Sequence, residues 1–150
     1  GFNIGLGRQH IQMNDIPIKD ILSNEALTFN ENETSKIVDS KMSEAEVTEA
    51  VIINDRNEYI GKVSIYDLLK SKLNKQIPVR KVINQNHLVL DSKITLVKSI
   101  EEASNFVGEF IPVKNNDDNR YVGSINESDL FQAYLKLQNQ VLHVEKDTDS

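Results

Sequence analysis

The sequence contains no cysteine and no tryptophan. Without thiols, disulfides and thiolate metal sites are excluded, and a reducing compartment is compatible with the chain. Histidine is scarce: His10, His87 and His143 lie far apart and none has an i, i+4 partner, so no His-based metal site is expected. No Ser/His/Asp set clusters around a nucleophile elbow, so no catalytic residues are assigned and an enzyme is the least favoured class. Long apolar runs are missing as well. A membrane span needs roughly 20 mostly apolar residues, whereas the longest clean run here is Ala50 to Ile53. Neither a span nor a signal peptide fits. Clustered positive charge is also absent. Only Arg80-Lys81 stand side by side, and 17 Lys+Arg against 23 Asp+Glu leave a net charge of −6. That balance disfavours nucleic acid, whose phosphates need clustered cations.

What remains is a globular composition. The 150 residues are 39% hydrophobic and 27% charged, with 3 prolines and 6 glycines. This length makes one ordinary domain, or two small ones sharing a core. The chain begins at Gly1 without a methionine, so an excised piece of a longer protein is expected.

The chain repeats itself. Asn57, Tyr59, Gly61, Asp67 and Leu68 recur as Asn119, Tyr121, Gly123, Asp129 and Leu130, each pair 62 residues apart. Ile60/Val122 and Val63/Ile125 keep apolar character at the same offset, and Ile16-Pro17-Ile18 matches Ile77-Pro78-Val79 one residue short of it. Two copies therefore occupy 16–74 and 77–138, preceded by an arm at 1–15 and followed by a tail at 139–150. That tail, from Val141 to Ser150, reads as frayed and acidic.

Each copy reads as βαββα. In copy one, Ala26 to Phe29 is a strand and Asn30 to Glu33 supply cap chemistry for a helix. Thr34, Ile37, Val38 and Met42 make one face of that helix. Ala50 to Ile53 is short, apolar and continuous, as in a strand buried on both faces. The polar turn Asp55 to Glu58 returns the chain as a strand from Tyr59 to Val63. Ser64 caps a helix whose buried face is Ile65, Leu68, Leu69 and Leu73. Copy two repeats the order. Leu88 to Leu90 is a strand, and Leu96, Ile100, Ala103 and Val107 form a helical face. Phe110 to Val113 and Tyr121 to Ile125 make a hairpin, and Leu130, Tyr134, Leu137 and Val141 line a closing helix. The fold class is α/β of the α+β type.

The junction Gly61-x-x-Ser64-x-x-Asp67 has a chemical logic. Glycine admits a ligand or another backbone at close range. A hydroxyl at a helix N-terminus suits phosphate, and a carboxylate one turn in can accept two hydroxyls of a ribose. The competing reading is structural: Ser64 is an N-cap, Asp67 answers the helix dipole, and Gly61 ends a strand. The pattern recurs as Gly123-x-x-Asn126-x-x-Asp129.

Two βαββα units, each closing on strand, G-h-h-S/T-x-x-D and helix, resemble a CBS-domain pair, or Bateman module. The resemblance covers Ile16 to Leu137. It implies two repeats packed sheet to sheet about a pseudo-twofold axis, with clefts that bind ATP, ADP or AMP as a regulatory ligand. Matched by position, Ser64 and Asp67 would serve one cleft and Asn126 and Asp129 the other. Asn126 departs from Ser/Thr, which makes the first motif the more complete, and Glu46 to Glu49 offer no aromatic to stack on adenine. The opening Leu6-x-Arg8-Gln9-x-Ile11 resembles the segment leaving the last membrane helix of ClC-type chloride channels and transporters. It implies a transmembrane channel or transporter domain in the same polypeptide, with this module on the cytoplasmic side of the cell membrane.

Two further expectations complete the reading. Phe131, Tyr134, Leu135 and Leu137 give the closing helix more apolar surface than one core needs, which points to a homodimer. A purely structural dimerisation module with empty clefts is the main rival. The other is a divalent-cation-sensing module of a magnesium transporter. Glu44, Glu46 and Glu49, or Glu101-Glu102, are solvated faces on the first view and a Mg²⁺ site on the last.

Overall fold

The computed structural model describes residues 16–23, 26–70, 76–85 and 87–149, with side chains through residue 140. Copy one contains β1 (Thr28–Asn30), α1 (Ser35–Glu44), β2 (Glu49–Ile53), β3 (Tyr59–Ser64) and α2 (Ile65–Leu69). Copy two contains β4 (Leu90–Asp91), α3 (Leu96–Glu102), β5 (Ile111–Lys114), β6 (Tyr121–Ile125) and α4 (Glu127–Asp149). Each copy makes a three-stranded sheet, β1-β2-β3 and β4-β5-β6. In both, the first pair is parallel and joined across a helix, and the second is an antiparallel hairpin. Both hairpins carry a register shift, at Ile52/Ile53 and at Val113/Lys114. Gly61 and Gly123 sit on matching strands. The βαββα order is the one expected.

Several element boundaries differ from the sequence reading. The first strand is Thr28–Asn30 rather than Ala26 to Phe29, and the fourth is Leu90–Asp91 rather than Leu88 to Leu90. Thr34 caps α1 by accepting from Ile37 N, so it belongs to the cap and not to the buried face. Val38 and Met42 are buried as expected, whereas Ile37 is exposed. Val107 is solvent-facing because α3 stops at Glu102 and a 3₁₀ turn, Ala103–Asn105, swings the chain off the helical face. Leu69 lies on the outer side of α2, and Leu73 lies outside the described residues. The α4 backbone runs as helix to Asp149, through the segment expected as a tail.

The two sheets meet about a pseudo-twofold axis at the hairpin tips. Tyr59 N donates to Asn119 O at 2.8 Å, and Tyr121 N donates to Asn57 O at 2.9 Å. The Asn57 and Asn119 amides reciprocate on the carbonyls of Tyr121 and Tyr59, at 3.2 and 3.0 Å. Both asparagines hold positive φ, 61° and 62°, which asparagine tolerates better than most residues. The recurrence of asparagine there has a backbone cause.

The lead segment of each repeat packs on the other repeat. Ile18 N donates to Ile94 O at 3.0 Å, and Leu96 N donates to Ile16 O at 2.8 Å. Ser23 and Ser124 exchange backbone bonds of 2.8 and 3.0 Å. In return, Val79 N donates to Glu33 O at 2.7 Å and Asn84 N to Lys62 O at 2.9 Å. Ile18 is consequently buried with Leu90, Leu96, Ile111, Ile125 and Leu130 of copy two. Val79 is buried with Val38, Met42, Ile52, Val63 and Leu68 of copy one. A smaller cluster of Val51, Tyr59 and Phe110 joins the halves. Gly123 explains part of this crossing. Its φ is +152°, and an added Cβ would stand 3.2 Å from Leu22 Cβ and 3.3 Å from Ser23 O. The glycine of the motif therefore admits a backbone, one of the two alternatives its chemistry allowed.

Candidate functional site

Both motifs lie where a strand runs into a helix, yet their carboxylates are used differently. In copy one, Ser64 Oγ accepts from Asp67 N at 3.2 Å. Asp67 Oδ2 accepts in turn from Ser64 N at 2.9 Å and Ser64 Oγ at 3.0 Å. This is a capping box, with the acid supplied by Asp67. Asp67 is buried, and its outer oxygen stands 3.9 Å from the exposed Lys70 ammonium. The structural reading of this motif accounts for these contacts.

In copy two, Asn126 Oδ1 accepts from Asp129 N at 2.7 Å. The reciprocal half is missing: among the described residues none donates to the Asp129 carboxylate. Asp129 is half-buried at the mouth of a cleft of about 190 Å³. Ala26, Leu27, Val47, Phe110 and Ile125 form its apolar walls, and Ser23, Ser124, Asn126 and Asp129 form a polar edge. Phe110 supplies from copy two the aromatic that Glu46 to Glu49 lack. Elements of both repeats thus build this cleft. Asp67 instead borders an outer depression with Lys70, Ile77, Arg80, Lys81 and Asn84.

The centre of the pair holds a group that sequence reasoning missed. Lys62, on β3, has a side chain only 7% exposed. Its Nζ lies 2.7 Å from Glu49 Oε2 and donates to Phe110 O at 2.8 Å. It also sits 5.1 and 4.9 Å from the Phe106 and Phe110 ring centres, over two aromatic faces. A lysine inside an otherwise apolar strand was the available signal. A second was its repeat equivalent, since Ser124 stands 62 residues on. Glu49 is spent on this pair and on Glu109 N, so it does not act with Glu44 and Glu46, both exposed. Among the described residues no group of three or more His, Asp or Glu is placed to hold a metal ion.

Burial shapes the neighbouring titrations. Tyr59 OH is hydrogen-bonded to His87 Nε2, and burial drives the Tyr59 phenol well above its ordinary range. Burial, assisted by the Lys62 charge, pushes His87 below its usual value. Burial also raises Tyr121, whose hydroxyl is 2.6 Å from Ser124 Oγ; that bond partly offsets the rise.

Comparison with known proteins shows what this geometry is similar to. Residues 18–74 match the CBS domain family model. Among solved structures, the chain is similar to CbpB in complex with c-di-AMP, with TM-score 0.76 and 16% identity. That match covers 95% of this chain and 97% of CbpB. CBSX2 of Arabidopsis thaliana in complex with AMP matches with TM-score 0.67 and 18% identity, over 82% of this chain and 98% of CBSX2. The cystathionine β-synthase pair domain of a candidate Mg²⁺ transporter of Shewanella oneidensis matches with TM-score 0.69 and 16% identity. It covers 89% of this chain and 75% of that one. No curated protein matches the sequence. Residues 18–74 are thus similar to the CBS domain family, and the chain has the fold of the CBS-domain pairs it matches over both repeats. No described helix is long and apolar enough to cross a membrane.

Proposed function

We propose that the chain is a non-catalytic regulatory module that binds the adenosine moiety of a ligand in the second cleft. The observation that carries this reading is the unpartnered Asp129 carboxylate beside apolar walls from both repeats. A carboxylate fixed at a helix start can accept both ribose hydroxyls while Val47, Ile125 and Phe110 cover a base. The AMP and c-di-AMP complexes of the related folds support the choice of an adenine ligand. Asp129 and Asn126 thus take precedence over Ser64 and Asp67, because the Ser64 hydroxyl consumes the Asp67 carboxylate. Hydrogen bonds to a charged group contribute roughly 1.5–3 kcal/mol, so Asp129→Ala weakens binding about ten- to a hundredfold. Calorimetry with adenosine and AMP on the parent, Asp129→Ala and Asp67→Ala tests this. Loss in Asp67→Ala with retention in Asp129→Ala would overturn the assignment.

The module also pairs with a second copy through the helices that follow the motifs. Leu69 and Phe131 are repeat equivalents, 51% and 60% exposed, and Tyr66 and Leu135, about one turn away on the same two helices, are exposed as well. Leu137, by contrast, packs into the second core and leaves that surface. A specific interface buries at least ~1,000 Å² in total. Sedimentation of the parent should show a dimer that Leu69→Asp with Phe131→Asp dissociates; a monomeric parent at high micromolar concentration would contradict this.

The host we favour is a membrane channel or transporter bearing the module on its cytoplasmic side. Leu6-x-Arg8-Gln9-x-Ile11 supports a chloride-channel host, although it lies outside the described residues. The Shewanella relative supports a Mg²⁺ transporter as the second reading. The full-length sequence tests this: a series of hydrophobic spans supports a membrane host, and its absence contradicts both readings.

A further inference from the structure

We propose that the second cleft selects a nucleoside whose 5′ side is neutral or cationic and discriminates against phosphate chains. This rests on the reading that Asp129 holds an adenosine moiety. The cleft lining contains three carboxylates, Glu49, Glu109 and Asp129, and no Lys, Arg or His among the described residues. The cation beside it is already committed. Lys62 is buried against Glu49, the Phe110 carbonyl and two aromatic faces, so it neutralises Glu49 and offers nothing further. Glu109 and Asp129 have no cation in the cleft lining; Lys136 shares a separate outer depression with Asp129.

Neither can readily withdraw. Glu109 Oε1 accepts from Thr48 N at 2.8 Å and from the Thr48 hydroxyl, which fixes it to the cleft wall. Asp129 lies in the first turn of α4, where its charge already answers the helix dipole. The Asp129 amide is taken by Asn126 Oδ1, which removes one donor that a phosphate would need. At an effective dielectric of about 20, like charges ~8 Å apart change an affinity roughly tenfold or more. A 5′-phosphate faces two such charges, while a neutral hydroxyl faces none and an ammonium gains from both. The outer depression beside Asp67 has the opposite character, with Lys70, Arg80 and Lys81 on its rim.

Calorimetry on the whole chain with adenosine, 5′-amino-5′-deoxyadenosine, AMP and ATP tests this selectivity. Adenosine and its 5′-amine should bind at least about tenfold more tightly than AMP, with ATP weaker still. Glu109→Gln should narrow the adenosine-over-AMP ratio, and so should higher salt. Circular dichroism and thermal melting of that variant report whether it is folded. AMP or ATP binding more tightly than adenosine, in a manner still sensitive to Asp129→Ala, would overturn the selectivity while leaving the site in place. Tighter phosphate binding sensitive to Lys81→Ala and not to Asp129→Ala would overturn both, as would no binding by any of the four at millimolar concentration.

Discussion

The two motifs occupy equivalent positions of one repeat, and three differences set their surroundings apart. Copy one places Ser64 where copy two has Asn126, and Lys62 where copy two has Ser124. The third difference follows from the first. A serine hydroxyl joins Asp67 in a reciprocal capping box, whereas the Asn126 amide oxygen caps α4 alone and leaves Asp129 unpartnered. The more complete motif therefore spends its carboxylate on the helix, and the less complete one keeps it available. Lys62 adds a second asymmetry. It reaches from copy one to copy two and is held by Glu49 and Phe110, so its own half contains a buried ion pair. Ser124 in the same place is short, its hydroxyl bonds locally to Tyr121, and it lines the cleft.

Substitutions should separate the halves in a definite order. The largest effect belongs to Glu49→Leu, which strands the Lys62 ammonium in the interior. Breaking a buried pair from one side costs about 3–5 kcal/mol. Adding Lys62→Met to that variant should restore most of the loss, because an apolar replacement of both partners removes the uncompensated charge. Chemical denaturation of the single and double variants checks this, and an equally unstable double variant would break the ion-pair account. Asp67→Ala comes next. Loss of a capping box residue costs about 0.5–2 kcal/mol, while adenosine binding at the other cleft should be unchanged. The same substitution at Asp129 should alter stability less, because no donor is left unpaired.

The smallest effect is a pH dependence confined to one half. His87 faces Lys62, Glu49 and Asp67, and its folded-state pKa lies below the ordinary value of about 6.5. Between those two values the unfolded chain binds a proton that the folded chain does not. Stability is therefore full above about pH 6.5 and declines as pH falls through the folded pKa. Melting temperatures from pH 7.5 to 5.5 should decline less steeply in His87→Gln than in the parent. An identical slope would remove His87 from the account.

Much of this fold was legible in the sequence. The 62-residue ladder, the two hairpins and the strand-to-helix placement of both motifs follow from local pattern and turn chemistry. What was not legible is what crosses between repeats. Pro17 and Pro78 begin matching segments, but no periodicity tells that Ile18 is buried with Leu90 and Leu130 while Val79 enters the first core. Lys62 meets partners at Glu49, Phe106 and Phe110, and only the pseudo-twofold packing brings these four together. The contrast between motifs has a local cause. The Ser64 hydroxyl, three residues before an acid, makes a capping box, which the sequence allowed beside the ligand-binding reading without deciding between them.

The inequality of the two clefts is open to one direct measurement: amide chemical-shift mapping of the whole chain as adenosine is added. The largest changes are expected at Ala26, Leu27, Val47 and residues 124–129, with residues 64–70 and 80–84 nearly still. Changes centred on Ser64, Asp67 and Lys70, with the Asp129 cleft unmoved, would contradict the account.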